Sequence, residues 1–162
     1  MLESADLLLG PWLAANRSMS RKVFNAANEI VGSIHGFVPQ WTWLRRPRFE
    51  IREGDDLSFL FSVSPRSWRP GRWWVNDADE QLLGTLIRSS GQRSIQAFSR
   101  AGLPVGELSW LPAKTSAKAL SPRGICLVDI DRLGTGARIT FTTQTDPFSR
   151  MVFLAATLVA GI

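Results

Sequence analysis

The feature that most constrains this chain is its last twelve residues. Met151-Val152-Phe153-Leu154-Ala155-Ala156-Thr157-Leu158-Val159-Ala160-Gly161-Ile162 carries no charge and is apolar on every side. A helix of that kind belongs in a protein core or in a bilayer. Pro147 suits a first helical turn, and Thr145 or Asp146 is placed to cap it. Twelve residues at ~1.5 Å each reach about 18 Å, well short of a hydrocarbon core of ~30 Å. Starting at Pro147 gains about 6 Å but places Arg150 inside. Leaving the segment in water forfeits ~1.5–3 kcal/mol for each large side chain, more in sum than a typical net stability of ~5–15 kcal/mol. The reading is a central apolar helix, residues 147–162, buried in a larger domain.

The rest of the chain reads in period two. Phe49 and Ile51 alternate with Arg48, Glu50 and Arg52; Leu57, Phe59, Phe61 and Val63 with Ser58, Leu60 and Ser62; Ile139, Phe141 and Thr143 with Arg138, Thr140 and Thr142. Each is a half-buried strand. Turn signals at Gly54-Asp55, Pro70-Gly71, Ala101-Gly102 and Gly134-Thr135-Gly136 separate about ten such strands, as in a sandwich or barrel.

One pattern recurs in Val23–Ile34, Trp74–Leu86 and Ile95–Leu108. Each copy has a strand, a polar turn, two or three mostly apolar residues, Gly, one variable residue, then Ile or Leu. This is a hairpin whose return strand carries a glycine, suited to a bulge or a close backbone approach. Leu111–Arg123, rich in Ala, Ser, Pro and Lys, reads as a surface connection.

The 162 residues fit one domain. The N-terminal segment 1–20 does not read as a signal peptide, because Glu3 and Asp6 sit where positive charge belongs. Cys126, the sole cysteine, lies in the run Ile125–Val128 and reads as a buried, inert thiol. These features point to a reducing, cytoplasmic setting.

The hairpins and the terminal helix together resemble the tubby-like C-terminal superfamily, which includes the phospholipid scramblases and LURP-one-related proteins. Asn25–Ile34, Asn76–Leu86 and Ser99–Leu108 are similar to its repeat, and Met151–Ile162 to its core helix. The resemblance runs from about residue 20 onward. It implies a mainly β fold, an antiparallel barrel of repeated hairpins closed around a buried C-terminal helix. It also implies lipid or protein binding through basic residues on the barrel, with scramblase-like activity as an alternative. The scramblase cysteine-rich segment is absent.

Candidate chemistry is sparse. His35 is the sole histidine, so a zinc site or a Ser-His-Asp triad would rest on it alone, and a surface histidine is the simpler reading. Asp129 and Asp131 share a strand face and are the candidate calcium ligands, with solvated carboxylates as the default. No cofactor is implied. The more informative features are two clusters of arginine and tryptophan in a chain of net charge +5. One holds Trp41, Trp43, Arg45, Arg46, Arg48 and Arg52. The other holds Arg66, Trp68, Arg69, Arg72, Trp73 and Trp74. Tryptophan favours a headgroup layer, and arginine forks match phosphate.

The expected function is a non-enzymatic module docking reversibly on anionic phospholipid headgroups or a membrane-associated partner, peripheral to a membrane. Arg45, Arg46, Arg48, Arg66, Arg69 and Arg72 would meet the headgroups, with Trp41, Trp43 and Trp68 at the interface. The alternative is a structural or protein-interaction domain, in which tryptophans fill the barrel or lie under arginines. Nucleic acid is a lesser candidate partner.

Overall fold

The computed structural model describes residues 1–15, 18–37, 48–54, 58–66, 71–88, 93–111 and 115–161. Among these residues, thirteen strands precede one helix: β1 (Asp6–Leu9), β2 (Leu13–Ala15), β3 (Ser18–Phe24), β4 (Ile30–Phe37), β5 (Arg48–Glu53), β6 (Ser58–Pro65), β7 (Arg72–Asp77), β8 (Leu82–Ile87), β9 (Ser94–Ser99), β10 (Pro104–Trp110), β11 (Ser116–Leu120), β12 (Cys126–Leu133), β13 (Gly136–Phe141) and α1 (Pro147–Ala160). From β3 to β13 each strand pairs antiparallel with the next, and β1 pairs with both β13 and β3. That closes a barrel of twelve strands, with β2 continuing along β3 past the break at Gly10-Pro11. The expected barrel around a terminal helix is therefore present. It also takes in the N-terminal segment, whose Leu7 and Leu9 are buried.

Alternation places the apolar residue of each pair inside. The strand exteriors carry charges such as Lys22, Glu50, Lys118 and Asp129, the reverse of a lipid-facing barrel wall. The helix occupies the interior, and Val152 to Leu158 are all buried. Asp146 caps it, accepting from the Ser149 N–H at 3.0 Å and the Ser149 hydroxyl at 2.6 Å. Gly161 ends it in the left-handed region, at φ 81°. Thr145 donates instead to the Leu127 carbonyl at 2.7 Å, tying the helix start to β12. Among the described residues no helix is long and apolar enough to cross a membrane.

The helix packs on β8, β9 and β10. Several inward residues on that side of the barrel are small, namely Gly84, Ala97, Gly106, Ala117 and Ala119, beside the larger Leu86, Ile95 and Leu108. The opposite side holds Ile34, Phe49, Ile51, Phe61 and Trp73, which fill the remaining space. Close packing accounts for the small residues, since a core has little spare volume where the helix lies against the wall.

The repeated hairpin has a structural cause. Val31, Leu83 and Val105 are the extra residues of β-bulges, skipped in the pairings of β3–β4, β7–β8 and β9–β10. Each turns toward the core. The glycine follows the bulge, where the next strand approaches: a Cβ on Gly32, Gly84 or Gly106 would stand 2.4, 2.5 or 2.3 Å from that strand's carbonyl oxygen. Leu60 and Leu127 are the extra residues in β5–β6 and β11–β12, so five successive hairpins share the device. The hairpins β5–β6 and β11–β12 carry Phe61 and Val128 where the others have glycine.

Three expectations need correction. Leu111–Arg123 is not all connection, because β11 occupies Ser116–Leu120. Its inward face is Ala117 and Ala119, which are small because the interior there is crowded. Cys126 is half-buried, not buried, because the bulge turns both Leu127 and Val128 inward and leaves Cys126 on the outer wall opposite Leu120. In β6 the bulge breaks the alternation, so Leu60 packs on the core while Phe59 pairs with Arg52; Leu57 lies outside the described residues.

Candidate functional site

The outer wall of β4 to β7 gathers Arg48, Arg52, Arg66, Arg72 and Trp74 from the two arginine and tryptophan clusters. On β5, burial of Phe49 and Ile51 turns Arg48, Glu50 and Arg52 outward. On β7, burial of Trp73 and Val75 turns Arg72 and Trp74 outward. Trp74 pairs with Ser64 on β6, and Arg48 pairs with Phe37 on β4. Phe37 and Trp74 are 41% and 39% exposed, so two aromatic faces flank this stretch of wall. Arg66 follows β6. Its N–H bonds the Arg72 carbonyl at 3.0 Å, and its guanidinium lies 5.3 Å from the centre of the Trp74 ring. That is a cation–π stack on an exposed tryptophan.

The charges within the patch are unequally compensated. Arg52 lies 3.3 Å from Glu50, and Arg48 lies 3.9 Å from Glu50 and 4.0 Å from Glu80. The Arg48 Nε is buried and has no hydrogen-bond partner among the described residues. Arg66 and Arg72 have no carboxylate within ion-pair reach among the described residues. Of the sequence candidates, Arg48, Arg66 and Arg72 thus share one stretch of wall. Arg45, Arg46, Arg69, Trp41, Trp43 and Trp68 lie outside the described residues. Trp73, in the second cluster, is a core residue. Phe37 was not legible as a site residue, because nothing local to β4 marks it. Only the β4–β5 register brings it to Arg48.

Arg21 is a separate feature. It is 1% exposed on the inner face of β3, donates from Nε to the Gly10 carbonyl at 2.9 Å, and sits 4.7 Å over the Trp12 ring. Burial lowers its pKa to about 10, well below the ordinary guanidinium range. It holds the chain break between β1 and β2 against β3 and is a structural residue.

The remaining candidates are engaged elsewhere. Asp129 pairs with Lys118 at 3.3 Å, and Asp131 stands opposite Arg138 and Ser116. Among the described residues no three His, Cys, Asp or Glu side chains are grouped to hold a metal. His35 Nε2 lies 3.1 Å from the Ser33 hydroxyl and pairs across strands with Glu50. These are triad residue types, but they lie along the outer wall of the sheet. A cavity of about 520 Å³ lies instead on β9–β11 against Phe98, Glu107 and Leu120. Another, of about 700 Å³, lies at the helix start against Glu53, Thr145 and Arg150.

The chain matches no protein-family profile and no curated protein. Its fold is similar to the X-ray structure of a protein from Arabidopsis thaliana. The TM-score is 0.60 at 10% identity, over 96% of this chain and 90% of that one. A porin-like protein from Bacteroides uniformis also matches, with a TM-score of 0.31 at 10% identity over 88% of this chain and 57% of that one.

Proposed function

We propose that this chain is a non-enzymatic binding module, akin to the tubby-like C-terminal superfamily, that docks reversibly on anionic phospholipid. The twelve-strand barrel closed around an apolar C-terminal helix supports the kinship, as do its bulged hairpins. The observation that carries the ligand reading is the Arg66–Trp74 stack beside Arg72: the Trp74 ring is exposed, and the two half-buried arginines have no carboxylate within ion-pair reach among the described residues. An indole at the headgroup level with a guanidinium on its face suits a lipid phosphate, and each basic residue near an anionic surface adds ~1 kcal/mol.

A second reading is a protein-interaction or structural domain with no lipid ligand. Glu50 and Glu80 favour it, because they already balance Arg48 and Arg52. Vesicle co-sedimentation separates the two. The lipid reading expects binding to phosphatidylserine-containing vesicles, little to pure phosphatidylcholine, and a loss of about 30-fold or more in R66E/R72E. Equal binding to both vesicles, or to neither, removes it.

A further inference from the structure

One copy of the repeated hairpin departs from the others on its outer face. On each bulged return strand, the residue after the glycine, or after the residue standing for it, faces outward. It is Ser33 on β4, Ser62 on β6, Thr85 on β8, Glu107 on β10 and Asp129 on β12. Two of these are carboxylates, and they are treated differently. Asp129 is answered by Lys118 at 3.3 Å. Glu107 stands opposite Gln96 and Leu120, and among the described residues no cation lies within ion-pair reach of it. Lys118 is opposite Ser109 on the same face, but it turns to Asp129.

The surroundings of Glu107 are a groove. It lines the cavity of about 520 Å³ on the outer wall of β9–β11. Phe98, Pro104, Leu120 and Pro122 supply apolar walls there, and Gln96 a second polar group. Leu120 is 40% exposed, so the apolar wall is open to a ligand. Glu107 itself is half-buried. The Ser109 hydroxyl donates to its Oε1 at 3.4 Å, which leaves most of its acceptor capacity open. A carboxylate partly withdrawn from water gains from a charged donor more than from a neutral one.

We propose that this groove binds a small organic amine. The ammonium group sits on Glu107 with Gln96 beside it, and an aromatic or branched aliphatic body lies against Phe98, Leu120 and Pro122. The volume suits a compact molecule of that kind, since ligand pockets span ~300–1,000 Å³. A bare metal cation does not fit. Calcium takes ~6–8 oxygen ligands, and among the described residues no three His, Cys, Asp or Glu side chains are grouped to supply them. An anionic headgroup is repelled by Glu107. The groove is therefore separate from the arginine patch on β4–β7, and its reading does not depend on lipid binding.

Titration of phenethylamine into isotope-labelled protein, followed by amide chemical shifts, tests this without vesicles. The expected result is saturable shifts at Gly106, Leu120 and Gly124. The neutral analogue 2-phenylethanol should bind about 10-fold more weakly, and phenylacetate not at all. Glu107→Gln keeps the side-chain shape and should weaken phenethylamine about 10-fold while leaving 2-phenylethanol unaffected. Leu120→Lys changes a side chain on the outer wall, places a cation opposite Glu107 and should exclude the amine with the remaining amide spectrum unmoved. No saturable shift in the groove overturns the site. Phenylacetate binding as tightly as the amine, or an E107Q variant that binds the amine as well as the wild type, overturns the assignment of an ammonium to Glu107.

Discussion

At the scale of single residues, position in the repeat decides what a glycine is for. Gly124 ends its turn in the left-handed region, at φ 77°, with nothing within 4 Å of a built Cβ. Asn28 and Glu80 occupy the equivalent place in their turns at φ 63° and 59°, so an L side chain is tolerated there. Gly106 differs. A Cβ there would stand 2.3 Å from the Leu120 carbonyl oxygen and 2.9 Å from the Phe153 ring, so neither the β11 backbone nor the helix can give way cheaply. Gly124→Ala is therefore expected to cost about 1 kcal/mol. Gly106→Ala is expected to cost about 3 kcal/mol, at the top of the range for overpacking. Urea melts of the two variants check this, and equal midpoints would mean that the β10–β11 contact is not a constraint.

At the scale of the element, the buried helix depends on its cap. Burial opposes ionisation of Asp146, but the hydrogen bonds from Ser149 and neighbouring N–H groups outweigh it, and its pKa lies below the usual 3.8. A carboxyl with a lowered folded pKa adds stability above its unfolded pKa, and that contribution is lost as pH falls through the folded value. Asp146→Asn should therefore flatten the acid limb of the stability curve below about pH 4 while keeping most of the cap. Asp146→Ala should cost about 1 kcal/mol at neutral pH. Thermal melts across pH 2.5–7 read both. The helix and three hairpins are legible in the sequence because their signals are local: an uncharged run, and a turn followed by glycine. The hairpin β11–β12 has the same Ser121-to-Gly124 turn and the same bulge, yet Val128 stands where the pattern has glycine. Its inward alanines hide the alternation, since Ala is apolar only relative to its neighbours. The site is less legible. Arginine-rich segments are visible in sequence, but which arginines Glu50 and Glu80 neutralise depends on strand register and shear.

At the scale of the whole molecule, the barrel is held shut by the pairing of its first strand with its last. From β3 to β13 each strand joins its neighbour in sequence, whereas β1 bonds β13 across nearly the full chain. Thr140 donates to the Asp6 carboxylate at 2.6 Å on that seam, and Arg150 reaches from the helix to the Leu2 carbonyl at 2.6 Å. Contacts of such separation form late, because their loop entropy is recovered only once the rest of the barrel is in place. Without β1, the bare edges of β13 and β3 would face each other across a gap, and Leu7 and Leu9 would no longer cover the interior. Exposed edges of that kind pair with other chains. A chain lacking residues 2–10 is therefore expected to sediment as dimers and larger species. Amide exchange in Gly136–Phe141 should quicken far more than in Arg72–Asp77, which keeps both its neighbours. A truncated chain that stays monomeric, with β13 as protected as β7, would show that the helix alone holds the barrel in shape and that β1 is a cover, not a stave.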